Sequence, residues 1–119
     1  MSEKKITDLI TSARHEGDIA VVAIRGEIDL HNSPDLRNHM LQHLDGSIKR
    51  LILNLTDVPY MDSSAIAVFV EALQKLRKIG GKVYLTNLQP RVKGLLEIAK
   101  LDSIFIVCAD EGAAIASTR

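Results

Sequence analysis

The chain carries one cysteine, Cys108, so no internal disulfide can brace it, and a reducing compartment, the cytoplasm, is its expected location. No apolar run reaches the roughly 20 residues of a bilayer-spanning helix, which argues against direct membrane insertion. The N-terminal "MSEKKITDLI" lacks the extended apolar core of a secretion leader. An excess of one charge is missing too: 15 Lys and Arg balance 15 Asp and Glu, so neither long-range steering nor a general nucleic-acid partner is expected. The basic run "QKLRKIGGK" has no aromatic residues interleaved for base stacking, and reads as a solvated helix end where cations suit the dipole. Repeats, linkers and low-complexity tracts are also lacking.

What is present describes one folded unit. With 119 residues, 46% apolar and 25% charged, residues 1–119 suffice for a single domain with one core and are too few for two ordinary ones. "LITSARHEGDIAVVAIRGEIDL" reads as two extended segments joined at Glu16-Gly17, an edge hairpin feeding a central strand. Asn32 or Ser33 offers an N-cap oxygen, Pro34 suits the first turn, and Leu36, Met40 and Leu44 share a helical face that should end near Asp45-Gly46. In "KRLILNL", Leu51, Leu53 and Leu55 face one way and Ile52 the other, as in a strand buried on both sides. A helix from Ser63 or Ser64 to Ile79 follows, stopped by Gly80-Gly81, and then the strand "KVYLTNL". Pro90 opens a third helix, "SIFIVCA" supplies a last strand, and a short helix follows Asp110. The alternation predicts an α/β fold: a mixed, mainly parallel sheet with an antiparallel N-terminal edge hairpin, flanked by about four helices.

The stretch "VPYMDSSAIAVF" is overprovided with capping oxygens. One would serve a helix start, yet Asp62, Ser63 and Ser64 stand in a row. Three residues after each stand Ala65, Ile66 and Ala67, so no reciprocal capping box uses the excess. On the helical wheel, Glu71, Gln74, Lys75 and Lys78 form a solvent face that runs back into Val68, Ala67 and Ser64, with Ser63 at its margin. An apolar patch beside the serines is therefore expected, of a kind suited to binding a protein. A phosphate on either serine would sit at the positive end of the helix dipole, so the helix should survive and the docking partner should feel the charge.

Other chemistries lack their full sets. His39 and His43 have the four-residue spacing of metal ligands, with His31 as a third candidate, but no H-E-x-x-H pattern accompanies them, so an exposed pair and no metal are expected. "YMDSSAI" is not a G-x-S-x-G nucleophile elbow, and "KIGGKV" lacks the spacing of a phosphate-binding loop.

The segments "RGEIDL", "LILNLTDVPYMDSSAIAVFVEAL", "IGGKVYLTNLQPRVKGLLEIAKLDSIF" and "DEGAAI", in that order over nearly the whole chain, resemble the STAS domain of bacterial anti-sigma factor antagonists. The resemblance implies a regulator without catalysis or cofactor of its own. It implies that the serine after Met61-Asp62, here Ser63, is phosphorylated by a serine kinase that is often itself the anti-sigma factor, and dephosphorylated by a PP2C-type phosphatase. The unphosphorylated form would bind the kinase. The "GEID" match places Asp29, His31 and Asn32 near the phosphorylation loop as partner contacts. With them go Met61, Asp62 and Ser64, and Ala67, Val68 and Glu71 on the helix. Such families commonly read Ser-Ser-Gly-Leu-Gly where this chain has Ala65 and Ala67, two changes that favour the helix by up to about 1 kcal/mol each and are expected to add methyls to the docking surface. The alternative is a STAS scaffold subunit of a larger signalling or transport assembly, using the same face without phosphorylation.

Overall fold

Short β-branched and leucine-rich runs separated by amphipathic stretches dictate the architecture. The computed structural model describes residues 9–118, so the N-terminal segment read above for a leader lies almost wholly outside that range. Strands β1 (Ile10–Glu16) and β2 (Ile19–Arg25) form the expected hairpin, turning at Gly17, whose φ of 61° is the left-handed conformation glycine accepts freely. There follow α1 (Ser33–Leu41), β3 (Arg50–Asp57), α2 (Ser63–Arg77), β4 (Lys82–Thr86), α3 (Pro90–Ile98), β5 (Ile106–Cys108) and α4 (Glu111–Ser117). The sheet has 5 strands in chain order, β1 antiparallel to β2 and all later neighbours parallel.

The period-2 pattern of the strands splits the apolar residues between two faces. Val22, Leu53 and Leu85 lie in register on one face, where α1, α2 and α3 close the main core with Leu36, Met40, Phe69, Leu73, Val92 and Leu96. Val21, Ile52 and Tyr84 lie in register on the other, covered among the described residues by α4 through Ala114. Because β2 to β5 point the same way, the four described helices start at the C-terminal end of the sheet, and that end carries the "MDSS" serines.

Three local expectations are revised. Helix α1 stops at Leu41, and a turn with His43 and Leu44 donating to the carbonyls of Met40 and Leu41 carries Leu44 into the core. Helix α2 stops at Arg77, two residues short of Ile79, although Gly80 does supply the left-handed stop. The last strand is only Ile106–Cys108: Phe105 (3% exposed) is needed in the core, and the turn after Leu101 that delivers it uses up the start of "SIFIVCA".

Candidate functional site

Two buried side chains fix the loop from which α2 starts. Ile28 and Met61 form an isolated parallel bridge, with Ile28 N donating to the Tyr60 carbonyl and Asp62 N to the Ile28 carbonyl. Ile28 is 0% and Met61 2% exposed, so this step is an anchor between the β2–α1 loop and the start of α2. Met61, expected among the partner contacts, offers no side-chain surface in the free domain.

Asp62 occupies the N-cap position with extended backbone. Its Oδ1 accepts from Ser64 N at 2.9 Å and from Ser64 Oγ at 2.5 Å. The Ser64 hydroxyl, foremost among these donors, holds the Asp62 carboxyl below the usual carboxylate range. Ser64 is thereby committed to the cap. Ser63 is exposed, and among the described residues its hydroxyl makes no hydrogen bond. The hydroxyl left over by helix capping is that of Ser63.

The β2–α1 loop is tied back on itself. Asp29 accepts from His31 N at 2.9 Å and Asn32 N at 3.2 Å; Asn32 accepts from Asp29 N at 2.9 Å and donates through Nδ2 to the Glu27 carbonyl at 2.8 Å. The N-cap oxygen expected from Asn32 or Ser33 is therefore not used on α1: Asn32 spends its amide on the loop, and Ser33 is buried. Of the three candidate contacts here, Asp29 and Asn32 shape the loop and His31 is exposed.

The expected apolar patch is smaller than the helical wheel implied. Ala67 is exposed, but Val68 is only 6% exposed, because α1 packs alongside and turns the position into the floor of a groove. Ser33, Pro34, Arg37, Ser64, Ala67, Val68 and Glu71 line that groove. Arg37 closes it with two 2.6 Å bonds to Glu71, and that pairing holds the Glu71 carboxyl below its ordinary range. Ala65 is fully buried, so its methyl belongs to the core; only Ala67 adds a methyl to the surface.

The histidines sort differently from the sequence expectation. His43 and His39 are half-buried, His43 Nδ1 lies 3.1 Å from His15 Nε2, and the His39 and His43 rings are 5.8 Å apart between centroids. His31 stands apart on the loop. Among the described residues no group of three or more His, Cys, Asp or Glu is placed to hold a metal ion. None of the described helices is long and apolar enough to cross a membrane. Sequence reasoning missed two residues at the site: Arg37, whose partner lies 34 positions away, and Leu30, an apolar side chain left exposed between Asp29 and His31.

A family model for the STAS domain matches residues 11–114. The chain belongs to the STAS domain family. Within it, the chain is 37% identical over 97 residues to the anti-sigma-B factor antagonist of Bacillus subtilis strain 168, a match covering 81% of this chain and 86% of that one. It is also 30% identical over 90 residues to the putative sulfate transporter YvdB of the same strain, covering 76% of this chain but 17% of that much longer protein. The fold is shared with the anti-sigma factor antagonist SpoIIAA, solved unphosphorylated (TM-score 0.78, 22% identity, 91% and 95% of the two chains) and phosphorylated (TM-score 0.70, 21% identity, 91% and 98%). The relatives with matching length are anti-sigma factor antagonists, regulators that act by binding and are not enzymes. In this STAS domain, the "MDSS" serines and the "GEID" turn are brought together by the Ile28–Met61 bridge.

Proposed function

We propose that this STAS domain is a cytoplasmic anti-sigma factor antagonist that works by partner switching at Ser63. Unphosphorylated, it binds a serine kinase that acts as an anti-sigma factor. The kinase transfers the γ-phosphoryl group of ATP to Ser63 Oγ, its own base taking the hydroxyl proton and ADP leaving. The modified domain then dissociates, and a PP2C-type phosphatase hydrolyses the ester to restore the hydroxyl and inorganic phosphate. The observation that carries the reading is the division of labour between the serines: Ser64 is bound to Asp62, while Ser63 stands exposed and unbonded at the helix start. A dianion there is favoured by the helix dipole, so phosphorylation changes the docking surface without unfolding α2.

The reading is tested with purified wild type, Ser63→Ala and Ser63→Asp as baits in an extract of the source cell. Wild type and Ser63→Ala should retain a serine kinase that Ser63→Asp releases. With ATP and that kinase, wild type should gain one phosphate by intact mass and Ser63→Ala none. Undiminished phosphorylation of Ser63→Ala would end the assignment. The match to a segment of a putative transporter supports a second reading, a constitutive scaffold subunit. A large native size in extract that is insensitive to phosphatase treatment would favour it.

A further inference from the structure

An exposed leucine by itself needs no explanation, but Leu30, at 74% exposure, differs from the other exposed large apolar side chains. Ile79 and Ile98 lie at helix ends on the pole of the sheet away from Ser63, and Val107 lies on the β5 edge. Leu30 is at the Ser63 pole, and its loop is tied to the start of α2 by the Ile28–Met61 bridge and by Asp62 N donating to the Ile28 carbonyl. The residues on either side are locked as well, through the reciprocal bonds of Asp29 and Asn32. An apolar side chain on a fixed backbone binds without the entropic cost of ordering a loop.

We propose that Leu30 is the apolar anchor with which this domain docks on its kinase, inserted in an apolar recess with a cationic rim next to the phosphoryl-transfer site. This inference rests on the partner-switching reading. The rim follows from charge: Glu27 and Asp29 precede Leu30 in the loop, Asp62 is bonded to that loop through Ile28, and complementary potentials favour basic groups opposite them. A second copy of this chain would bring the same carboxylates against one another, which argues against self-association through this face. Phosphorylation of Ser63 places about −1.5 to −2 of charge next to Asp62. The dianion must then be stripped of water where the anchor seats, a desolvation cost that weakens docking.

The kinase retained by wild type in the pull-down above is purified and titrated calorimetrically against wild type, Leu30→Ala, Leu30→Met and, as a control at the opposite pole, Ile98→Ala. Leu30→Ala should bind about 10–100-fold more weakly, the loss expected when a well-seated leucine is truncated. Leu30→Met, which keeps the volume, should stay within about threefold of wild type. Ile98→Ala should bind as wild type does, and all variants should keep the wild-type circular dichroism and Tm. At saturating kinase, Leu30→Ala should still accept one phosphate on Ser63. Wild-type affinity in Leu30→Ala would overturn the anchor and leave the switch standing, as would equal weakening in Ile98→Ala. Failure of wild type to retain any kinase would overturn both.

Discussion

Ser63 and Ser64 are the same side chain one residue apart, and the helix start makes them chemically different. Ser64 lies where its amide and hydroxyl both reach the Asp62 carboxylate; Ser63 lies between them in sequence, and its hydroxyl bonds to neither. This difference was not legible in "MDSS", where three oxygens compete for one cap; it required the backbone of Asp62 to be extended and its side chain to turn forward. The resemblance chose Ser63, and the hydrogen bonds supply a reason for that choice. They also make a prediction about Asp62. Replacement by Ala removes the acceptor for Ser64 N and Ser64 Oγ at once, whereas Ser64→Ala removes one bond and leaves the backbone cap. In urea, Asp62→Ala should lower the unfolding midpoint more than Ser64→Ala, with the slope unchanged in both. Equal midpoints for the two would mean that Asp62 does not cap the Ser64 amide.

Elements were legible where their apolar period was long and their ends were marked by residues with one structural use. The leucines of β3 and the two-faced strand pattern emerged as read, and so did the hairpin at Gly17. What the period could not carry was the neighbour of each element. A helical wheel locates α2 relative to its own core, but α1 also packs beside α2, so Val68 passed from the solvent stripe to the floor of a groove. Likewise "SIFIVCA" has strand composition throughout, yet Phe105 fills the core instead of extending the ladder. The Gly80-Gly81 stop was read as one signal, but its two glycines do different work. Gly80 has φ of 77° with open space around it, so Gly80→Ala incurs backbone strain alone. At Gly81 an added methyl would overlap the Lys49 carbonyl oxygen and touch Leu76, while its amide donates to the Leu76 carbonyl and the next residue's amide to Lys49. Gly81→Ala should force apart the end of α2 and the entry to β3, with a loss of about 1–3 kcal/mol by chemical denaturation. A loss no larger than a few tenths would show that the Lys49 segment yields freely.

On the scale of the whole molecule, the two poles of the sheet carry different chemistry. Ser63, Leu30 and the carboxylates of the β2–α1 loop occupy the pole where the helices begin; His15, His39 and His43 gather at the other, where the β1–β2 hairpin meets the end of α1. The close approach of His15 Nε2 to His43 Nδ1 needs one nitrogen to accept, so protons on both rings turn the contact into repulsion. Burial, then the nearness of His15 and His39, lowers the pKa of His43 below its ordinary value of 6.5. The folded domain thus binds that proton less tightly than the unfolded chain does. Stability is fully present above about pH 6.5 and is lost as pH falls through that value towards the lower folded-state pKa. Asp45, a carboxylate facing His15, partly offsets the repulsion and remains ionised in that range. Wild type should therefore show a falling Tm between pH 7 and pH 5, and His43→Gln should show a shallower fall with its own Tm lower at pH 8. The Ser63 pole shares none of these rings, so Ser63→Ala should follow the wild-type pH profile. Parallel profiles for wild type and His43→Gln would show that the histidine cluster does not set the acid response between pH 7 and pH 5.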